Sequence, residues 1–366
     1  MRQGLWGAVS AAALAAGLGA TEAAADMAAA QALVEEASQL PSFEAPGPAF
    51  DAQACAADKR AFVIPLTAQN PFNVQIAEGQ KEAAALVGLD LTVWETQFNP
   101  DQWAQGVVTA INEGYDIIDL QGGIPPAALG PQIMEAKAAG LQVVTTHLYD
   151  VTQEPDPMLD GSFAMDYTRA GRIMAAWSIV QTEGNVDAVI IGSDEIIPTA
   201  PFVEAIQTYL DENCADCSHT YINVPVTEWG SGIQPAVQSA LTANPNINYI
   251  LPIYDSMSQF VVPALELTGR TDVRIASYNG TPFTLDMIRE GDLMEMNVGE
   301  SLGWVGWSSV DAMLRLMCDE GAVTELNTPL YIFDDENVET AGVPATYGDG
   351  YGEGYVEGFK GLWGVE

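Results

Sequence analysis

Basic side chains are what this sequence has least of. Only 12 Lys and Arg stand against 50 Asp and Glu in 366 residues, a formal net charge of -38. So little positive charge cannot neutralise a phosphate backbone, which excludes nucleic acid as a partner. It equally disfavours docking on anionic lipid. The acidity itself reads as a solubility device, of the kind suited to a salty habitat. After the N-terminal segment no apolar run approaches the roughly 20 residues that span a bilayer. A dinucleotide enzyme would carry G-x-G-x-x-G after its first strand, and Thr67–Phe72 holds no glycine. The G-x-S-x-G elbow of serine hydrolases is missing, and neither of the two His has an obvious nucleophile beside it. An enzyme is therefore the weaker class of reading, and no cofactor is expected.

Cysteine is also sparse, with Cys55, Cys214, Cys217 and Cys318 as the whole supply. A zinc ribbon needs a second close pair, so no metal is expected there. The tail Tyr347–Gly358 has a loose calcium-loop composition but lacks EF-hand ligand spacing. A redox Cys-x-x-Cys opens a helix, whereas Cys214-Ala-Asp-Cys217 follows one, so a local structural disulfide is the expectation. Whether Cys55 and Cys318 pair is left open.

What is present supports a sizeable core: 48% of residues are hydrophobic and 17% charged. The length suggests two domains. Residues 1–25 read as a signal peptide, with Arg2, an apolar run from Leu5 to Leu18, and Ala23-Ala24-Ala25 before Asp26 as the cleavage site. The mature protein is expected in the periplasm, where disulfides form. Residues 26–58, with a short helical pattern and then Pro41, Pro46 and Pro48, read as a leader arm.

From Arg60 the chain alternates strand and helix. Buried strands are expected at Ala61–Leu66, Leu89–Glu95, Asp116–Leu120 and Gln142–Thr146. Helices are expected at Phe72–Val87, Gln102–Glu113 and Leu129–Ala139, closed by Gly88, Gly114 and Gly140. A second series has strands at Ala188–Gly192, Thr220–Val224, Tyr249–Ile253, Arg274–Ala276 and Leu293–Val298. Its helices fall at Thr199–Glu212, Gly232–Ala243, Ser256–Leu267 and Thr281–Glu290. The pattern predicts an α/β protein of two doubly wound parallel-sheet lobes. Residues 59–163 with 301–330 would form the first lobe and 164–300 with 331–345 the second, leaving 346–366 as a tail.

Open parallel sheets bind ligands outside the carboxyl ends of their strands. Those places hold Asn70, Phe72, Asn73, Gln121 and His147 in the first series, and Ser193-Asp194, Trp229, Tyr254, Asp255, Asn279 and Glu300 in the second. No Lys or Arg is among them. Anions normally require such a base, so the ligand should be neutral or cationic. Amides, carboxylates and aromatic faces together suit a sugar or polyol. Each residue has a plainer reading too. Phe72 could open a helix from the core, His147 could be a satisfied buried imidazole, Asp255 could cap a helix, and Glu300 could face solvent at a hinge. Trp304 and Trp307, one helical turn apart, read as core.

The segments Leu66-Thr67-Ala68-Gln69-Asn70-Pro71-Phe72, Leu241-Thr242-Ala243-Asn244-Pro245-Asn246-Ile247 and Tyr278-Asn279-Gly280-Thr281-Pro282 resemble the ribose/galactose-type periplasmic solute-binding proteins of ABC importers. The resemblance covers roughly residues 59–335. It implies a three-strand hinge, closure of two lobes over the ligand, delivery to an inner-membrane permease, and a monomer. A sensor that docks on a chemoreceptor or histidine kinase is the alternative. By position, Asn70 and Phe72 match a ligand-contacting Asn and a stacking Phe, Gln121 an amide, and Trp229 a second aromatic wall. Asn279 stands where an Asp usually grips hydroxyls, and Glu300 near a hinge Gln. His147-Leu148 replaces the Asp-Arg pair that marks sugar binding, Pro201 or Phe202 replaces an Arg, and Tyr254 replaces an Asn, so ribose or glucose specificity does not carry over.

Overall fold

The computed structural model describes residues 16–366 apart from 292, 322, 324 and 325. Residues 1–15 of the expected signal peptide lie outside the described residues, as do the side chains of 16–26. The chain begins with α1 (Ala16–Ala37) and the short α2 (Ala52–Ala56).

The first lobe is then laid down as β1 (Arg60–Pro65), α3 (Pro71–Val87), β2 (Asp90–Val93), α4 (Pro100–Glu113), β3 (Ile117–Gln121), α5 (Gly130–Ala138), β4 (Gln142–Asp150) and β5 (Gly161–Met165). Local chemistry fixes the helix ends. Asn70 and Asn99 each accept the amide two residues on, Pro71 and Pro100 follow at the first helical position, and Gly88 and Gly114 close α3 and α4 in the left-handed conformation. All five strands are parallel, in the order β2-β1-β3-β4-β5. The strand order reverses between β1 and β3, which is where such a sheet opens a crevice.

The second lobe runs α6 (Tyr167–Gln181), β6 (Asp187–Gly192), α7 (Thr199–Asn213), β7 (Ser218–Asn223), α8 (Trp229–Ala243), β8 (Tyr249–Pro252), α9 (Asp255–Thr268), β9 (Arg274–Asn279), α10 (Pro282–Glu290) and β10 (Met294–Glu300). The chain returns to the first lobe as α11 (Leu302–Cys318), packed on α3, and ends with β11 (Leu330–Phe333) and α12 (Gly354–Trp363). The second sheet has the order β11-β10-β9-β8-β6-β7, parallel except for β11. Its order reverses between β6 and β8. This is a two-lobed, doubly wound α/β fold, and Asp166, Ser301 and the stretch from Cys318 to Leu330 are its three crossings.

Three elements differ from the sequence expectation. The first crossing falls at Asp166 rather than just after Ser162, because β5 adds a fifth strand to the first sheet. Helix α6 has only a thin polar stripe, Thr168, Arg169 and Arg172, to betray it: Ala170, Ile173, Met174, Ala176, Trp177 and Ile179 are all buried, between β9 and β10 on one side and α1 and α7 on the other. In the tail, α12 contains Gly354, Gly358 and Gly361, poor helix formers. Packing overrides that cost: the Trp363 ring lies 5.5 Å from Trp307, stacked within 3°, and its Nε1 donates to Asp311 Oδ1 at 2.7 Å.

Both cysteine pairs are disulfides, Cys214–Cys217 and Cys55–Cys318. The first joins the end of α7 to the start of β7. The second ties α2 to the end of α11.

Candidate functional site

The loops after the strands at both points of reversal come together at the lobe boundary, where His147 of the first lobe pairs with Glu300 of the second. On the first lobe, Asn73 Nδ2 donates to Gln121 Oε1 and to the Gly122 carbonyl, each at 3.3 Å, and Gln121 Nε2 donates back to the Asn73 carbonyl at 2.9 Å. This buried pair locks the turn after β3 onto the start of α3. Gly122 has φ +71, and a Cβ there would meet the Asn73 amide, so glycine is required on both counts. Asn70 Oδ1 is spent on the Phe72 amide at 3.1 Å, which leaves its amide nitrogen free on an exposed side chain.

Phe72 leads into the centre of the site. Its ring lies edge-on to His147, centroids 4.9 Å apart. His147 sits within β4 with φ +62, a conformation an L-residue adopts at a cost. Both of its ring nitrogens are engaged across the lobe boundary: Nε2 pairs with Glu300 Oε1 and Nδ1 with the Tyr167 hydroxyl, each at 2.8 Å. Asn279, at φ +134, donates its amide to the same Glu300 oxygen at 3.4 Å. Glu300 is 1% exposed, and its Oε2 has no partner. A buried carboxylate oxygen left bare costs free energy, so the position favours a further hydrogen-bond donor.

Aromatic rings continue from there into the second lobe. Tyr167 meets Phe202 and Tyr278, Phe202 meets Tyr254, and Tyr254 lies 6.5 Å from Trp229 with the planes 30° apart. The Trp229 indole is anchored by Nε1 donating to Ser193 Oγ at 2.8 Å and to the Val224 carbonyl at 3.1 Å, so the ring is held in place before any ligand arrives. Burial raises the phenols of Tyr167, Tyr254 and Tyr278, and the charge of Glu300 adds to this, so all three stay neutral hydroxyls. The Tyr254 hydroxyl stands beside Thr199 Oγ1 and the Tyr278 hydroxyl beside Glu300, all of them buried and none in good hydrogen-bond geometry.

The structure therefore gathers Phe72, His147, Asn279 and Glu300 into one cluster, with Tyr254 and Trp229 along its second-lobe wall and Asn73 and Gln121 beneath its first-lobe wall. Asp255 stands apart. It is fully buried, with Oδ1 accepting from Ser277 and Asn297 and Oδ2 from the Thr281 amide, the Thr281 hydroxyl and the Thr284 hydroxyl. No lone pair remains for a ligand. The capping reading does not hold, because α9 has no side-chain cap and no Asp255 partner lies in that helix; instead Asp255 knits β9, α10 and β10 to the start of α9. Asp255→Ala should cost about 3 kcal/mol of stability by leaving those donors unpaired. Chemical denaturation checks this, and an unchanged midpoint would contradict it. Tyr167 went unrecognised in the sequence because α6 was not visible there.

The Lys and Arg among the described residues lie elsewhere, most of them in ion pairs: Lys59 with Asp116, Arg60 with Asp90, Lys137 with Asp160, Arg270 with Asp272 and Arg315 with Asp311. Lys59, Arg60 and Arg274 stand at the amino ends of strands, opposite the cleft. Among the described residues His147 is the one titratable base in the site, and no group of three metal-ligating side chains occurs among them.

Known proteins share this architecture. The chain is 24% identical over 273 residues to the ribose import binding protein RbsB of Escherichia coli, covering 72% of this chain and 87% of that one. A periplasmic solute-binding protein of an ABC transporter from Actinobacillus succinogenes, solved with bound D-allose, superposes with a TM-score of 0.65 at 18% identity, over 77% of this chain and 99% of that one. One from Agrobacterium vitis with bound allitol gives 0.64 at 16% identity, over 77% and 97%. The family model for the periplasmic binding protein domain matches residues 61–321. That span runs from β1 through the end of α11 and contains every cleft residue named above, so the chain belongs to the periplasmic binding protein family.

Proposed function

We propose that the protein is the solute-binding component of an ABC importer. In the periplasm it captures a small polyol-like solute, neutral or cationic, between its lobes and hands it unaltered to a membrane permease. One observation carries the ligand class: a buried carboxylate with a bare oxygen, ringed by aromatic faces, amides and hydroxyls, in a cleft without Lys or Arg. Hydroxyl or ammonium donors satisfy Glu300, while aromatic rings cover the C–H faces of a sugar or polyol. A phosphate or carboxylate would meet Glu300 with no base to offset it. The relatives' names, ribose import and sugars or an alditol bound in crystals, point the same way.

A ligand in excess raises the melting temperature of the form that binds it. A thermal-shift screen over sugars, polyols, nucleosides and quaternary amines, with sugar phosphates and sugar acids alongside, should yield hits only among the uncharged and cationic compounds. Hits confined to anions would reject the proposal. With a hit in hand, Phe72→Ala and Trp229→Ala should each weaken binding by about 1–3 kcal/mol in calorimetry, as expected for a lost stacking face. Full affinity in both variants would place the site elsewhere.

A further inference from the structure

Beyond the three crossings, two more segments of the described chain pass between the lobes, and both lie outside the stretch that matches the family. The first is the N-terminal arm. Helix α1 packs on α6 and α7 of the second lobe, with Ala30 and Ala37 buried and Glu36 paired to Arg169 at 3.1 Å. The chain then runs through Ser38–Ser42 to the first lobe. There Phe43 lies 4.9 Å from Phe359 and 6.2 Å from Trp304. Arg315 donates to the Pro48 carbonyl at 2.9 Å and covers the Phe50 ring at 4.6 Å, and Cys55 is bonded to Cys318.

The second is the C-terminal tail. Residues Val338–Ala341 pack on α10, and the Ala345 amide donates to Asp286 Oδ1 at 3.0 Å, which fixes this part to the second lobe. Helix α12 is fixed to α11 of the first lobe through Trp363. Between these anchors Tyr351, 1% exposed, pushes its hydroxyl against Gly280 and Gly299, where a Cβ on either would collide with it. Those glycines adjoin Asn279 and Glu300 of the site.

We propose that the two chain ends act as a fourth and a fifth hinge segment, restricting rotation of the lobes in the ligand-free protein. The arm lies on the crossing side. Its residues Leu40, Pro41 and Ser42 wall a cavity of about 480 Å³ whose other walls include Asp166, Asn327 and Thr328 of two crossings. Rotation of one lobe against the other must shear this layer, and the arm is held at both ends by buried side chains and at one end also by a disulfide. Each added connection whose ends are fixed removes conformations from the open ensemble. Binding then costs less ordering.

The test uses the full chain carrying a site-specific protease sequence between the exposed residues Gln39 and Leu40, and separately between Gly348 and Asp349. Gln105→Cys on α4 and Ser239→Cys on α8, both exposed, carry spectroscopic labels for inter-lobe distance. No ligand is needed, so the outcome is independent of the solute reading. Uncut protein should show one narrow distance distribution. Cutting the arm should broaden it, and cutting both segments should broaden it further, with the circular dichroism spectrum unchanged. Phe43→Ala in uncut protein should broaden it as well, to a smaller degree. Distributions that keep their width after complete cleavage at both sites would overturn the proposal.

Discussion

Replacing Cys55 and Cys318 together by Ser is expected to destabilise the protein far more than replacing Cys214 and Cys217. The first bridge joins residues 263 apart in sequence and the second residues 3 apart. In the chain-entropy account, a cross-link stabilises by removing conformations from the unfolded chain, more so for a longer loop. That gives about 5.5 kcal/mol for the long loop and about 2 kcal/mol for the short one. For a chain of this size the larger figure corresponds to a fall in melting temperature on the order of 10 °C. The long bridge also holds α2 against the end of α11, so its loss frees the root of the arm. Calorimetric melting of the two double variants decides the matter. Equal losses, or a greater loss from the short loop, would mean that native-state contacts rather than loop closure set the effect.

The helices most plainly read in advance have one face in the core and a chemical signal at each end. Helix α3 is announced by Asn70-Pro71 and closed by Gly88, and α4 by Asn99-Pro100 and Gly114, so local sequence and tertiary packing agree there. Helix α6 has little such contrast, because it is covered on one side by the sheet and on the other by α1 and α7. A helix buried over most of its circumference, with Arg169 and Arg172 as its polar stripe, has a weak amphipathic period. Helix α12 fails the local test in the opposite way. Its glycines argue against a helix, and Gly358 is needed because Phe43 packs directly over it. Only the aromatic stack with Trp307 and Trp363, brought together from distant parts of the chain, makes that helix worth forming.

For the site, the rule that ligands meet the carboxyl ends of parallel strands picks out loops that the fold brings together at the lobe boundary. It could not say which side chain in each loop turns toward the cleft. Asp255 and Glu300 look alike in sequence, each an acid next to the end of a strand. They differ in what surrounds them. Asp255 is saturated by Ser277, Thr281, Thr284 and Asn297, donors that lie 22 to 42 residues away. Glu300 is met on one oxygen by His147, from 153 residues away, and on the other by nothing. Non-local partners of this kind decide whether a buried carboxylate is saturated or keeps a free acceptor, and no local pattern encodes them.

A third acid, Asp119 of β3, should make stability depend on pH in a way a single variant can isolate. It is fully buried in the first lobe. Its Oδ2 accepts from Gln80 and from Thr146, each at 2.8 Å, while Oδ1 is unpartnered. Burial outweighs those two hydrogen bonds and pushes its carboxyl up from 3.8 to about 7. Between about pH 4 and pH 7 the folded chain therefore holds a proton that the unfolded chain has lost. Stability must fall as pH rises through that window and level off above it. The full cost of the ionised form is at most on the order of 4 kcal/mol. Asp119→Asn keeps a carbonyl for Gln80 and Thr146 and puts a neutral amide where the protonated acid has its hydroxyl. The variant should match the parent near pH 4 and exceed it in stability by pH 8. Asp166, Asp255, Asp311 and Glu295 are also raised by burial, but they contribute equally to both proteins and drop out of the difference. Urea unfolding of the pair across this pH range measures it. A variant that is less stable at pH 8 than the parent would show that the Asp119 carboxylate is held in its charged form, satisfied by partners such as buried water, and the sign of the argument would be reversed.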